Sequence, residues 1–123
     1  MTQPNAAHDR RIDYIELPSN DLARSKAFYA GVFGWTFTDY GPDYTCFHDG
    51  RLGGGFTNDR VARTGGGPLL VFYVADLEAA QRRVVEHGGT IAQPIVSFPG
   101  GRRFHFLDPS GTELAIWSEE RPI

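Results

Sequence analysis

The sequence predicts an α+β fold made of two similar halves, each running strand, helix and then three strands. Three observations predict it. A helical stripe at Leu22, Phe28, Tyr29, Val32 and Phe33 is opened by Asn20 or Asp21 and stopped by Gly34. A shorter stripe at Leu77, Ala80 and Val84 is opened by Asp76 and stopped by Gly88-Gly89. Sliding the chain by 55 positions (76 − 21) lays Asp21 on Asp76, Leu22 on Leu77 and Gly34 on Gly89, and the order of elements repeats with them.

The elements follow in order. Residues 1–10 read as a flexible N-terminal tail, with His8 solvated in it. An apolar alternation from Ile12 to Pro18 is the first strand, ending at Ser19-Asn20-Asp21, where the first helix begins. Strands are expected at Trp35–Tyr40, Tyr44–His48 and Leu52–Thr57, with Asp49-Gly50 marking a hairpin. The polar, Gly-rich stretch 58–67, NDRVARTGGG, is the linker. The second half then places a strand at Leu69–Ala75, its helix after Asp76, and strands at Thr90–Phe98, Arg102–Leu107 and Thr112–Ser118. The organisation is one domain over 11–118, with modules at about 11–57 and 68–118 and a C-terminal tail at 119–123.

Composition limits the function classes. At 123 residues the chain can bury one core, and its 41% apolar and 22% charged content is ordinary for a globular protein. A net charge of −3 gives no electrostatic reason to bind nucleic acid or an anionic membrane. Cys46 is alone, so no internal disulfide forms, and a reducing cytoplasmic setting is expected. The apolar run Leu69–Ala75 is far too short to span a bilayer, and MTQPNAAHDRR has no secretory pattern.

The stretches IELPSNDLARSKAFYAGVFGW, VADLEAAQRRVVEHGGT and FLDPSGTELAIW resemble the vicinal oxygen chelate superfamily. That group includes glyoxalase I, bleomycin-resistance proteins, fosfomycin-resistance enzymes and extradiol dioxygenases. The resemblance covers roughly residues 11–118. It implies paired βαβββ modules whose strands form an open, cup-shaped mixed sheet with helices on the outer face. It also implies that members performing chemistry hold a divalent metal in the cup. The family's ligands are a His, Gln or Glu on the first strand of each module and a Glu or similar group on the last. Here the first-strand positions are Tyr14, seven before Asp21, and Leu69, seven before Asp76. The last-strand position of the second half is Ala115, four after Gly111, and the first half offers only RLGGGFTN. Divalent metals draw their affinity from imidazole, thiolate or carboxylate, and a phenol is protonated at neutral pH. The expectation is therefore no metal and no cofactor, with a divalent ion as the alternative.

Alternation then assigns the cup lining. Ile15 and Leu17 should pack on the helices, turning Tyr14 and Glu16 to the cavity. Leu70, Phe72 and Val74 should meet the helices, leaving Leu69, Val71 and Tyr73 on the cavity side. With Leu114 and Ile116 in the core, Glu113, Ala115 and Trp117 face inward, and His105, between Phe104 and Phe106, joins them. Such a surface suits a partly apolar organic molecule with a polar handle. Glu16 is the candidate catalytic residue, because burial would raise its proton affinity and make it a general base; the bland reading is an exposed or paired strand carboxylate. Tyr14 and Trp117 either contact the ligand or fill space.

The remaining features carry less. His48 sits at a turn and His87 closes a helix, where a cation favours the dipole. The glycine runs 53–55 and 65–67 do not open a helix after a strand, so they are not phosphate loops. Arg102 and Arg103 read as a solvated turn or as anion contacts at the mouth. Cys46 reads as a small buried hydrophobe.

The leading functional expectation is a metal-independent binder of the bleomycin-resistance type, working as a homodimer because open sheet edges and rims are usually covered. The alternatives are a metal-dependent lyase or dioxygenase using Glu16, Glu113 and His105, and a non-catalytic structural or regulatory module.

Overall fold

A computed structural model describes residues 5–119; positions 1–4 and 120–123 of the two expected tails lie outside the described residues. A short 3-10 turn at Asn5–His8 precedes the first module. That module runs β1 (Tyr14–Pro18), α1 (Leu22–Phe33), β2 (Thr36–Asp39), β3 (Tyr44–His48) and β4 (Gly53–Thr57). The second runs β5 (Val71–Tyr73), α2 (Leu77–Glu86), β6 (Thr90–Phe98), β7 (Gly101–Leu107) and β8 (Glu113–Glu119).

Local chemistry explains these boundaries. Asp21 and Asp76 both cap their helices, each accepting a hydrogen bond from a backbone N–H three residues on, at 3.1 Å. Gly34 closes α1 in the left-handed region at φ 74°, its N–H donating to the Ala30 carbonyl. The Asp49-Gly50 hairpin is present with a four-residue loop, held by the Asp49 carboxylate accepting from the N–H groups of Arg51 and Leu52. Two strands are shorter than the apolar pattern suggests. Strand β1 starts at Tyr14 because its partner β4 begins at Gly53, leaving Ile12 without a ladder and 78% exposed. Strand β5 keeps only three residues, pairing solely with β8, although Leu70 and Val74 extend the bonding by one link each.

The strands divide into two four-stranded sheets, ordered β1-β4-β3-β2 and β5-β8-β7-β6. In each, the first strand runs parallel to the last and the other pairs are antiparallel, so both sheets are open and mixed. The helices cover one face of the sheets. One core runs through both modules, joining Leu17, Phe28, Tyr29, Val32 and Phe56 to Leu77, Val84, Phe104, Phe106, Leu114 and Ile116. Aromatic rings carry the contact between the modules: Phe33 stacks on Phe72 at 4.5 Å, and Phe28 lies 6.0 Å from Phe106. The expected helix-facing residues Ile15, Leu70, Phe72 and Val74 all pack on this core.

A buried polar tie fixes the modules to each other. Tyr29 of α1, fully buried, donates from Oη to Asp108 Oδ2 at 2.9 Å. The other carboxylate oxygen, Oδ1, accepts from the N–H groups of Ser110 and Thr112 and so shapes the D-P-S-G corner. Ser110 in turn reaches Asn20, just before the α1 cap. The segment 58–67 is pinned as well: Thr64 Oγ1 donates to the Gly111 carbonyl and the Glu113 N–H to the Arg63 carbonyl.

Two measurements check this tie. Tyr29→Phe strips Asp108 of a buried donor and is expected to lower unfolding stability by about 1–3 kcal/mol in urea titrations. Burial holds the Asp108 carboxyl above its ordinary range, outweighing the Tyr29 and backbone hydrogen bonds that lower it. A raised folded value favours the protonated form. Its contribution is therefore full below the ordinary value of about 3.9 and lost as pH rises through the folded one. The stability of the wild type relative to Asp108→Asn should fall over that window; a flat difference would refute the assignment.

Candidate functional site

Between the modules lies a cavity of about 980 Å³. Strand β1 forms one wall with Tyr14 and Glu16, the 60–70 segment forms the floor with Arg60, Arg63 and Leu69, and the start of β8 with its neighbour β7 supplies Thr112, Glu113 and His105. Five of the residues expected from alternation therefore meet here: Tyr14, Glu16, Leu69, His105 and Glu113.

The other four do not line the cavity. Val71 and Tyr73 are 45% and 51% exposed on the helix-free face of the second sheet, beyond the cavity mouth. Trp117 packs edge-on against Tyr73 at 5.3 Å and beside Phe98 at 6.2 Å on the same patch. Ala115 is fully buried, with His105 and Val71 directly opposite it on the flanking strands. Sharing a sheet face is thus insufficient to enter the cavity, because the face extends past it.

The first wall holds a connected polar chain. Tyr44 Oη donates to Glu16 Oε2 at 3.1 Å, which spends its one hydrogen. Tyr14 Oη therefore donates to Tyr44 Oη, and the Cys46 thiol, 3.3 Å away, donates to Tyr14. Arg60 Nε completes the chain at Glu16 Oε1, 3.3 Å. Burial, then the contacts with Cys46 and Tyr44, push the Tyr14 phenol far above its ordinary range, so it stays neutral. The Glu16 side chain is 39% exposed and ion-paired. Glu16 thus lacks the burial from which its general-base role was expected.

Glycine makes room for this chain. The β1–β4 register sets Glu16 opposite Gly55, as Val71 is set opposite Ala115, so Gly55 is the first-module counterpart of Ala115. A Cβ on Gly55 would fall 2.0 Å from Tyr44 Oη and 2.7 Å from Tyr14 Oη. Arg60, Arg63 and Thr112, which line the cavity, and Tyr44 and Cys46, which bond to its Tyr14, were not singled out from sequence as site residues. Alternation in YTCFH carried the signal for Tyr44 and Cys46, since Thr45 and Phe47 are buried and their neighbours face the other way. The linker arginines had no comparable signal. Contrary to its reading as a buried hydrophobe, Cys46 is only partly buried and belongs to the polar chain.

The donor set does not fit the metal that the fold family implies. Tyr14, Gly55, Leu69 and Ala115 occupy the four strand positions, and three of them have no lone-pair side chain. No group of three or more His, Cys, Asp or Glu comes together among the described residues, so Glu16, Glu113 and His105 do not form the alternative ligand set. The second wall instead pairs His105 Nδ1 with Glu113 Oε2 at 2.8 Å.

A pair of glycine variants tests the first wall. Gly55→Ala should destabilise by about 1–3 kcal/mol through overpacking. Gly53→Ala, whose Cβ would meet only the Phe47 carbonyl at 3.7 Å, should be neutral or stabilising by about 0.5–1 kcal/mol. Denaturant titrations of the two that came out alike would contradict the seat.

Comparison with known proteins agrees with this architecture. The chain is 32% identical over 124 residues to the anthracycline biosynthesis protein DauV of Streptomyces sp. (strain C5), a match covering 85% of this chain and 45% of that protein. The chain thus spans less than half the length of this relative. A glyoxalase-related enzyme from Fulvimarina pelagi superposes with a TM-score of 0.75 at 24% identity, covering 89% of this chain and 88% of that one. A mutant of the fosfomycin resistance protein FosX from Listeria monocytogenes, solved with Mn(II) and 1S,2S-dihydroxypropylphosphonic acid, gives 0.76 at 16% identity, over 87% and 88%. At these identities the structural matches speak for the fold. The family model for the glyoxalase/bleomycin resistance protein/dioxygenase superfamily matches residues 11–116, and the chain belongs to that superfamily.

Proposed function

We propose that the chain is a metal-independent small-molecule-binding protein, holding a partly apolar organic ligand in the cavity between its modules. The observation that carries this reading is the replacement of all four strand donor positions by Tyr14, Gly55, Leu69 and Ala115. The cavity, at about 980 Å³, is at the upper end of the range for organic ligands. Its walls mix apolar side chains with the Tyr14–Tyr44–Glu16–Arg60 chain and the His105–Glu113 pair. The similarity to an anthracycline biosynthesis protein supports a fused-ring aromatic ligand bearing polar substituents. Under this reading Tyr14, Glu16, His105 and Glu113 contact the ligand, and Glu16 acts by hydrogen bonding and charge.

The binder is further proposed to be a homodimer. The helix-free face of the second sheet exposes Val71, Tyr73, Val96 and Phe98 beside Trp117, an apolar patch of the kind that protein interfaces cover. No described helix is long and apolar enough to cross a membrane, and the single free Cys46 fits the proposed cytoplasmic location.

Elemental analysis of the purified protein should find no stoichiometric transition metal, and a chelator should leave the melting temperature unchanged; one equivalent of bound metal would overturn the reading. Fused-ring aromatic compounds should raise the melting temperature, by the equivalent of about 2.7 kcal/mol at a hundredfold excess over Kd. Light scattering should give twice the chain mass, and a monomer at micromolar concentration would refute the dimer.

A further inference from the structure

Two buried side-chain polar atoms lack a hydrogen-bond partner among the described residues: His105 Nε2 and Thr112 Oγ1. Both residues line the same cavity. Native interiors satisfy nearly all their polar groups, so each of these two orphans calls for a partner, and the cavity that both residues line is where one can enter.

The surroundings set the chemistry of that partner. His105 is 9% exposed, on β7 between β6 and β8. Its Nδ1 lies 2.8 Å from Glu113 Oε2. A carboxylate only accepts, so Nδ1 carries the hydrogen, and in the neutral form of the imidazole that leaves a lone pair at Nε2. Glu113 is itself fixed at the start of β8, its N–H donating to the Arg63 carbonyl. The backbone N–H and C=O of Thr112 are both spent on Asp108, at 3.0 and 2.9 Å, which leaves its hydroxyl as the group without a partner.

We propose that His105 and Thr112 form a hydroxyl-binding subsite of the cavity, with Glu113 as its positioning residue. A phenolic or enolic O–H of the ligand donates to His105 Nε2, and the Thr112 hydroxyl donates to that oxygen or to a carbonyl beside it. An ether, a ketone or a carboxylate brings no hydrogen and leaves Nε2 unsatisfied. The proposal rests on the cavity binding an organic ligand and adds that ligand's chemical class: a hydroxylated aromatic rather than a bare or alkylated one. It also divides the labour of the cavity. The Tyr14–Tyr44–Glu16–Arg60 wall is already internally satisfied, whereas the His105–Thr112 wall waits for a donor.

The test uses the full chain with two probes, 1-naphthol and 1-methoxynaphthalene, by calorimetry and by ¹⁵N NMR of the imidazoles. The naphthol is expected to bind about tenfold or more tightly than its ether. The His105 Nε2 resonance should be that of an unprotonated nitrogen and should move with naphthol but not with the ether. Thr112→Val, which keeps the backbone bonds to Asp108, should weaken naphthol binding several-fold while raising the melting temperature of the free protein. Glu113→Leu should lose the Nε2 signature, and Glu113→Gln, which still accepts from Nδ1, should restore it. Equal binding of the two probes, or a protonated Nε2 in the free protein, overturns the subsite and leaves the binding reading standing. Absence of binding by both probes overturns both.

Discussion

The hydrogen bond from Tyr29 to Asp108 is the contact on which the arrangement of the two modules depends. It joins a fully buried helix residue of the first module to the corner that launches the last strand of the second. The same carboxylate organises that corner by accepting two backbone N–H groups. Its position fixes where Thr112 and Glu113 stand, and Glu113 in turn orients His105. Apolar contacts such as Phe33 on Phe72 supply most of the adhesion, but they are non-directional. A buried hydrogen bond has direction, and it leaves an expensive unsatisfied group if the modules slide.

The two cavity walls depart from a metal-binding cup in different ways. In the first module, Gly55 takes the last-strand position, and two phenols occupy the space above it. A neutral Tyr14 makes a good hydrogen-bond partner and a poor ligand for a hard cation. In the second, Leu69 and Ala115 take the positions, and the polar chemistry moves one strand over to His105 on β7. Both walls retain polar function, but the groups suit hydrogen bonding to a neutral or weakly polar guest.

The fold was largely legible because its signals are local. Asp21, Asp76 and Gly34 act on their own turns, and the caps appear where the residue types place them. The repeat at 55 positions marked equivalent caps, although α2 runs two residues shorter than α1, 10 against 12. Strand ends were less legible because a strand ends where its partner does, and Ile12 has no way to encode the start of β4 at Gly53.

By itself the sequence determined the order of elements, the face on which most strand residues lie, and the lack of imidazole or carboxylate at Tyr14, Leu69, Ala115 and residues 51–58, where the family resemblance implies metal ligands. Each follows from residue identity or from a period-two pleat. Only the tertiary structure decided which residues of that face share a cavity. Tyr14, Glu16, His105 and Glu113 meet there, while Tyr73 and Trp117 stand on an open patch. It also brought Arg60 from the connecting segment onto Glu16 and set Glu113 on His105. Those pairings depend on how one module docks against the other and where the connecting chain is pinned, and these long-range placements leave no periodic trace in the residues themselves.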